Sequence, residues 1–148
     1  MKILALLLLS LSIAACSVES KPKTIEGKVN IPNNLANKIG ASDVLYILAY
    51  PVSAPESAAK TSETNPALKT PLAVHKIAPV IFPAKYELSQ DDIIFPEKKF
   101  EGLMEITARV QKNPESAPAQ RGDFEGTAKK NPVVPGSKNV DILLGLPN

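Results

Sequence analysis

Val44–Tyr50, VLYILAY, is an uninterrupted apolar run in the first half of the chain. A short apolar run rich in β-branched and aromatic residues is typical of a strand, since a buried helix needs about ten residues or more. Because every position is apolar, neither face of such a strand is suited to water. The run therefore predicts a central strand that is buried on both faces.

Alternation of apolar and polar residues around this run predicts six more strands. They cover residues 25–31, 72–77, 82–88, 104–110, 124–129 and 140–144. No fifteen-residue window after residue 23 carries a helical apolar stripe, and only Asn33–Lys38 is suited to a single helical turn, capped by an asparagine. About seven short strands separated by turns predict an all-β fold, an antiparallel β-sandwich over residues 24–148.

Residues 53–70, SAPESAAKTSETNPALKT, form an irregular insert within this sandwich domain. The segment is rich in Ala, Ser, Thr and Pro and has few residues that could join a core, so it predicts an irregular loop. A solvated linker is the favoured interpretation, and a functional loop is the alternative.

The composition excludes several classes of function. With 17 basic and 15 acidic side chains, the chain lacks the positive surface needed to bind nucleic acid through bulk charge. A single cysteine excludes an intrachain disulfide and a cysteine-rich zinc site, and a single histidine excludes a histidine-paired metal centre.

The N-terminus has the pattern of a lipoprotein signal peptide over residues 1–15. Lys2 precedes the apolar segment Ile3–Leu11, which is too short to span a bilayer, and Ala14-Ala15-Cys16 resembles a bacterial lipobox. Cys16 is therefore the predicted site of lipidation, palmitate included. An ordinary secretory signal with a chance cysteine is the alternative.

Lipidation at Cys16 predicts a protein held at a membrane surface and facing the periplasm. Residues 16–23 would then form a lipidated N-terminus and a short polar tether. Ser17, in place of aspartate, resembles the sorting signal for the outer membrane.

Few residues qualify as a chemical site. His75 could bind copper together with Met104, but two ligands are too few, and a structural or surface histidine is favoured. Asp91 and Asp92 could bind calcium or act as acid and base, yet turn formation by their side chains is the simpler interpretation. No serine lies in a Gly-x-Ser-x-Gly motif. We therefore expect no enzyme, no catalytic residue, no bound metal and no cofactor.

Lysine pairs occur at Lys98-Lys99 and Lys129-Lys130. Lysine on the outermost strand of a sheet opposes aggregation by pairing with other chains. Both pairs are expected to keep edge strands soluble.

Six segments occur in an order that matches a known domain. They are Thr24–Val29 (TIEGKV), Thr70–Val74 (TPLAV), Tyr86–Asp92 (YELSQDD), Ala108–Val110 (ARV), Gln120–Gly126 (QRGDFEG) and Val134–Gly136 (VPG). This series resembles the C-terminal periplasmic Ig-like domain of cytochrome c-type biogenesis proteins of the CycH/CcmI type, over about Thr24–Leu144. The resemblance implies an Ig-like sandwich.

The most specific part of that series is built of turn residues, for which physics predicts structural roles. Gly122 and Gly126 permit positive φ at a strand entry or bulge, and Asp123 can accept a hydrogen bond within its own turn. Pro135-Gly136 predicts a type II turn before the last strand.

The leading functional hypothesis is a lipid-anchored accessory module that assists cytochrome c maturation through contacts with another envelope protein. Its contact surface would be an exposed edge strand or the loops at one end of the sandwich. A weaker resemblance, to secretion pilotins, makes an assembly lipoprotein that escorts an outer-membrane complex the alternative. A periplasmic metal carrier based on His75 is the third possibility.

Overall fold

The computed structural model describes residues 21–52, 70–112 and 123–147. The predicted signal peptide, Cys16, most of the tether, Gly122 and all but the last residue of the insert lie outside these ranges. Within them no helix is long and apolar enough to cross a membrane. The strands are β1 Ile25–Asn30, β2 Val44–Pro51, β3 Ala73–Ile77, β4 Ala84–Leu88, β5 Met104–Gln111, β6 Phe124–Thr127 and β7 Ile142–Leu143.

The strands form two sheets, which confirms the predicted all-β sandwich. One sheet has the order β4-β1-β7 and the other has the order β3-β2-β5-β6. Strand β2 lies between β3 and β5, and all of Val44–Tyr50 is buried. The prediction of a central strand buried on both faces is therefore confirmed.

The predicted helical turn is present as the short helix α1, Asn33–Ala36. Pro32 occupies the N-cap position and no side chain caps the helix, so the predicted asparagine cap is wrong. The carbonyl of Pro32 instead accepts hydrogen bonds from the backbone N–H groups of Leu35 and Ala36. Proline has no side-chain oxygen that could cap the helix and no backbone N–H that needs a partner. The turn is therefore closed by backbone hydrogen bonds alone.

The main core fills the space between the sheets and is almost entirely aliphatic. Its fully buried members from the strands and the final segment include Ile25, Val29, Leu45, Ile47, Leu88, Met104, Ile106, Val110, Val140, Ile142 and Leu144. Tyr86 joins this core, and Phe82 packs against it while partly exposed. Tyr46 belongs to a different cluster and points away from this core.

A second buried cluster covers the outer face of the four-stranded sheet. Val44, Tyr46, Leu48 and Tyr50 are its members, and the partly buried Val74 of β3 packs against them. Successive residues of a strand point to opposite faces, so these four alternate with the core residues of β2.

The last strand is an exception to the predicted antiparallel arrangement. Strand β7 pairs with β1 in parallel, with Val29 opposite Ile142. Between β6 and β7 the chain crosses from the four-stranded sheet to the three-stranded sheet, and after this crossing β7 runs in the same direction as β1. Glu125 and Gly145 exchange backbone hydrogen bonds of 3.0 and 2.8 Å, which joins the two sheets along this side.

Two glycines make room for this final segment. A Cβ atom on Gly27 would lie 2.1 Å from the carbonyl oxygen of Val140, and one on Gly126 would lie 2.4 Å from that of Leu143. Real Cβ atoms do not approach a backbone oxygen so closely. Gly126 has no positive φ, so the predicted reason for this glycine is wrong. Its role is to let the backbone of residues 140–145 pass against β6.

Candidate functional site

The predicted turn motif is structural. The N–H of Ser137 donates to the carbonyl of Val134 at 3.1 Å, and Gly136 has a φ of 102°, so Pro135-Gly136 forms the type II turn that its sequence predicts. The carboxylate of Asp123 accepts from the backbone N–H of Lys112, 3.0 Å away directly after β5, because the hairpin strands bring these residues together.

His75 and Asp92 form a pair that the sequence did not reveal. His75 lies on the edge strand β3, and Asp92 ends the 3-10 helix Gln90–Asp92. The distance from Nδ1 of His75 to Oδ1 of Asp92 is 2.8 Å, so a proton on Nδ1 is donated to the carboxylate. The pair holds β3 against the 3-10 helix.

Asp91 and Asp92 lie in a capping box, as their predicted role in a turn requires. The other oxygen of Asp92 accepts from the backbone N–H of Ser89 at 2.8 Å, while the hydroxyl of Ser89 accepts from the backbone N–H of Asp91 at 3.2 Å. These bonds satisfy donors at the start of the helix.

Met104 is not beside His75. It is fully buried in the core and lies opposite Pro51 on β2, whereas His75 lies opposite Ile47. The copper site considered for these two residues is therefore not formed. Within residues 21–52, 70–112 and 123–147, no group of three or more His, Cys, Asp or Glu side chains could hold a metal ion.

One end of the sandwich combines lysines with exposed apolar side chains, and we call it the lysine end. Val133 bridges to Met104 at the start of β5, and the N–H of Gly136 donates to the carbonyl of Thr24 at 2.8 Å. Val133 and Gly136 are close in sequence, so these contacts place Thr24, just before β1, at the same end of the sandwich as the start of β5. Six lysines line the grooves of this end, namely Lys21, Lys23, Lys98, Lys99, Lys130 and Lys138.

The lysine end also carries three carboxylates, Glu26, Glu97 and Glu101. Glu26 lies 3.8 Å from the ammonium of Lys138. Lys98 and Lys99 lie in the connection between the 3-10 helix and β5, so their predicted place on an edge strand is wrong. The sequence alone did not predict this cluster, because its lysines come from four separate segments of the chain.

A groove of about 560 Å³ at the lysine end has an apolar wall. Leu103 and Val134 line it and are 46% and 48% exposed, with Lys130 and Lys138 beside them. The backbone N–H of Val52 donates to the carbonyl of Leu103 at 2.9 Å, which adds a third exposed apolar side chain nearby. Clustered exposed apolar residues with a polar rim are typical of a protein-binding surface.

The outer face of the three-stranded sheet is instead charged. A groove of about 530 Å³ there is lined by Glu26, Lys28, Lys85, Glu87 and Asp141, together with other residues that include His75 and Tyr86. No serine, threonine or cysteine is among the described residues that line it.

Tyr86 is fixed beneath this groove. Its hydroxyl donates to the carbonyl of Val140, and burial, with a smaller effect from the charge of Asp141, raises the pKa of Tyr86 far above its ordinary value. The hydroxyl therefore stays protonated and acts as a structural donor.

A solved structure with a similar but distant fold is an alternative pilotin from the type II secretion system of Vibrio cholerae. It is 15% identical to the chain, covers 86% of it and 99% of the pilotin, and superposes with a TM-score of 0.49. This likeness is too weak to support an argument about function. No curated protein matches the chain.

The model of a protein family matches residues 25–144, from the first residue of β1 to the residue after β7. The match includes both sheets, the 3-10 helix and the type II turn. The chain therefore belongs to the family of the Ig-like domain of cytochrome c-type biogenesis protein H.

Proposed function

We propose that the chain is a lipid-anchored, non-enzymatic binding module of the bacterial outer membrane that faces the periplasm and assists cytochrome c maturation through protein contacts. The observation that carries this proposal is the family match over residues 25–144. The family is named for cytochrome c biogenesis, and the lipobox-like Ala14-Ala15-Cys16 supplies the anchor.

The position of the N-terminus supports a specific orientation. Cys16 is eight positions before Thr24, and Thr24 is bonded to Gly136 at the lysine end. An extended chain spans at most ~28 Å over that length. A lipid on Cys16 would thus hold the lysine end within reach of the membrane and of proteins embedded in it.

The surface of the lysine end supports protein binding. Leu103 and Val134 offer apolar contact area, and the lysines around them would favour a partner segment that carries apolar and acidic side chains. His75 and Asp92 support the non-enzymatic interpretation, since their bond links two elements of the fold and the described residues that line the groove beside His75 include no serine, threonine or cysteine.

Lipidation can be tested by metabolic labelling with an alkyne analogue of palmitate. We expect the label on the wild-type chain and its loss in Cys16→Ala, with Ser17→Ala as the matched control that keeps it. A wild-type chain without label would overturn the proposed anchoring.

The binding surface can be tested by placing a photocrosslinking amino acid at Leu103 or Val134 in living cells. Ile81 and Leu146, which are 74% and 62% exposed and lie away from the lysine end, are the matched controls. We expect crosslinks from the lysine end to a component of the cytochrome c maturation machinery or to an apocytochrome. Equal crosslinking from the controls, or none from Leu103 and Val134, would contradict the proposed surface.

The same experiment separates the alternative. If the crosslinked partner is an outer-membrane secretion complex, and deletion of the chain mislocalises that complex while cytochromes mature normally, the pilotin-like interpretation replaces ours. Crosslinks to lipid alone would assign the lysine end to the membrane surface.

A further inference from the structure

Strand β4 has an open edge, and the backbone of β1 shows which groups lie on it. The N–H of Glu26 donates to the carbonyl of Ser137 at 3.0 Å, and its carbonyl accepts from Val140 at 3.0 Å, so both groups point away from β4. Backbone groups alternate in direction along a strand. The groups of Ile25, Gly27 and Val29 therefore point toward β4.

The register then identifies the free groups. Gly27 lies opposite Tyr86, with Lys28 opposite Lys85 and Glu26 opposite Glu87. Tyr86 thus exchanges bonds with β1, whereas the N–H and C=O of Lys85 and Glu87 point outward. Among the described residues, no hydrogen bond reaches these outward groups.

The two charged side chains on this edge have no opposite charge facing them on β1. Both Lys85 and Glu87 are exposed, and β1 places a like charge directly opposite each of them. Like charges in this position repel, whereas opposite charges attract. In the described part of the chain neither Lys85 nor Glu87 forms an ion pair.

We propose that two copies of the chain associate by antiparallel pairing of β4 with β4, with the two-fold axis at Tyr86. Such an axis sets Lys85 opposite Glu87 of the second copy and Glu87 opposite Lys85 of the second copy. These residues carry the outward backbone groups, so each pair closes two backbone hydrogen bonds and one ion pair. The two three-stranded sheets become one sheet of six strands.

The charge pattern selects a second copy over other occupants. A lysine on an edge strand ordinarily repels strand pairing, yet here the adjacent charges of opposite sign complement themselves about a two-fold axis. The contact is short, so the dimer is weak in dilute solution. Anchoring at a membrane, which rests on the proposed lipidation, would raise the local concentration and favour it.

The first test measures association of the full chain in detergent by sedimentation equilibrium. Lys85→Glu and Glu87→Lys each place like charges opposite one another, so each alone is expected to raise the Kd by about tenfold or more. Mixing the two variants restores the opposite charges and should recover heterodimers with the wild-type Kd to within about threefold. Lys129→Glu makes the same charge change at an exposed lysine beside β7, on the other side of β1 from β4, and is the matched control that should leave the Kd within that range.

The second test fixes the register. Chains with Lys85→Cys and with Glu87→Cys are mixed under mild oxidation, because residues opposite each other in a hydrogen-bonded pair lie ~5.5 Å apart, within disulfide reach. We expect crosslinks in the mixture but not in either variant alone, and the wild-type chain controls for crosslinks through Cys16. A monomeric wild-type chain, or crosslinking that is equal in all samples, would overturn the dimer while leaving the proposed partner surface at the lysine end intact.

Discussion

The outer faces of the two sheets differ in character. On the four-stranded sheet, the outer side chains of β2 are Val44, Tyr46, Leu48 and Tyr50, and all are buried. On the three-stranded sheet, the outer side chains of β1 and β4 are charged or polar, and Lys28, Lys85 and Glu87 are exposed. Burial of apolar surface stabilises a fold roughly in proportion to its area.

We infer from this difference that the four-stranded sheet mainly stabilises the fold and that the three-stranded sheet is the one available for binding. Strand β2 contributes buried apolar groups on both faces, with the main core on one side and the cluster that includes Val74 of β3 on the other. The three-stranded sheet buries only its inner face, and its outer face and open edge remain free for contacts. Four predictions test this division.

The largest effect is expected for the two faces of β2. Ile47 faces the main core and Leu48 faces outward, yet both are fully buried. Replacing either with Ala should lower the free energy of unfolding by about 3 kcal/mol, measured by urea denaturation. Lys28→Ala, on the outer face of β1, should change it by less than about 0.5 kcal/mol. A cost below about 1 kcal/mol for Leu48→Ala would show that only one face of β2 is stabilising.

The next effect concerns the segment that joins the sheets. Gly27→Ala and Gly126→Ala would press a Cβ against the backbone of residues 140–145, so each should cost about 2–3 kcal/mol. Gly145→Ala is the matched control, since a Cβ added there would meet no atom within 4 Å and φ is not positive. Thermal unfolding followed by circular dichroism measures the loss. Equal stability of all three variants would contradict the close approach.

Tyr86 should contribute a smaller, pH-dependent amount. Tyr86→Phe leaves the buried carbonyl of Val140 without its donor, which should cost about 1–2 kcal/mol near neutral pH. Because the folded pKa of Tyr86 is raised above the unfolded value of ~10, this stability is present below pH ~10 and is lost as the pH rises above it. The difference between wild type and Tyr86→Phe should therefore narrow above pH 10 in urea titrations. A difference that widens would reverse the assigned role.

The smallest effect is expected at the link between β3 and the 3-10 helix. Asp92→Ala removes the acceptor for both His75 and the N–H of Ser89, so it should cost about 1 kcal/mol. Asp91→Ala is the matched control, because the bonds that define the cap use its backbone N–H and not its carboxylate. Hydrogen exchange at Ser89 should accelerate only in Asp92→Ala. Equal effects of the two substitutions would show that the pair is not a specific link.

Local patterns predicted much of the fold. The run at Val44–Tyr50 predicted β2 because a strand that is apolar at every position is stable only when both of its faces are buried. The alternating segments predicted the other strands, and β4 begins only after Pro83 because proline has no N–H to offer the ladder. Pro135-Gly136 predicted its turn because both residues have restricted or special backbone angles.

Other features could not be read locally. The bond between His75 and Asp92 joins residues 17 positions apart, and their proximity depends on how the 3-10 helix packs on β3. Gly126 was assigned to positive φ, but the limit on its side chain comes from Leu143, on another strand. The cluster at the lysine end has the same origin, since its members come from separate segments.

The amino-acid sequence by itself determined which segments are strands and which positions turn, because periodicity and backbone restriction act over a few residues. Its resemblance to a biogenesis domain came separately, from the order of six matching segments. Only the tertiary structure decided the parallel pairing of β7 with β1, the close approach at Gly27 and Gly126, the lysine end and the open edge of β4. These depend on stacking two sheets, which brings distant residues within a few ångströms through contacts that no local pattern records.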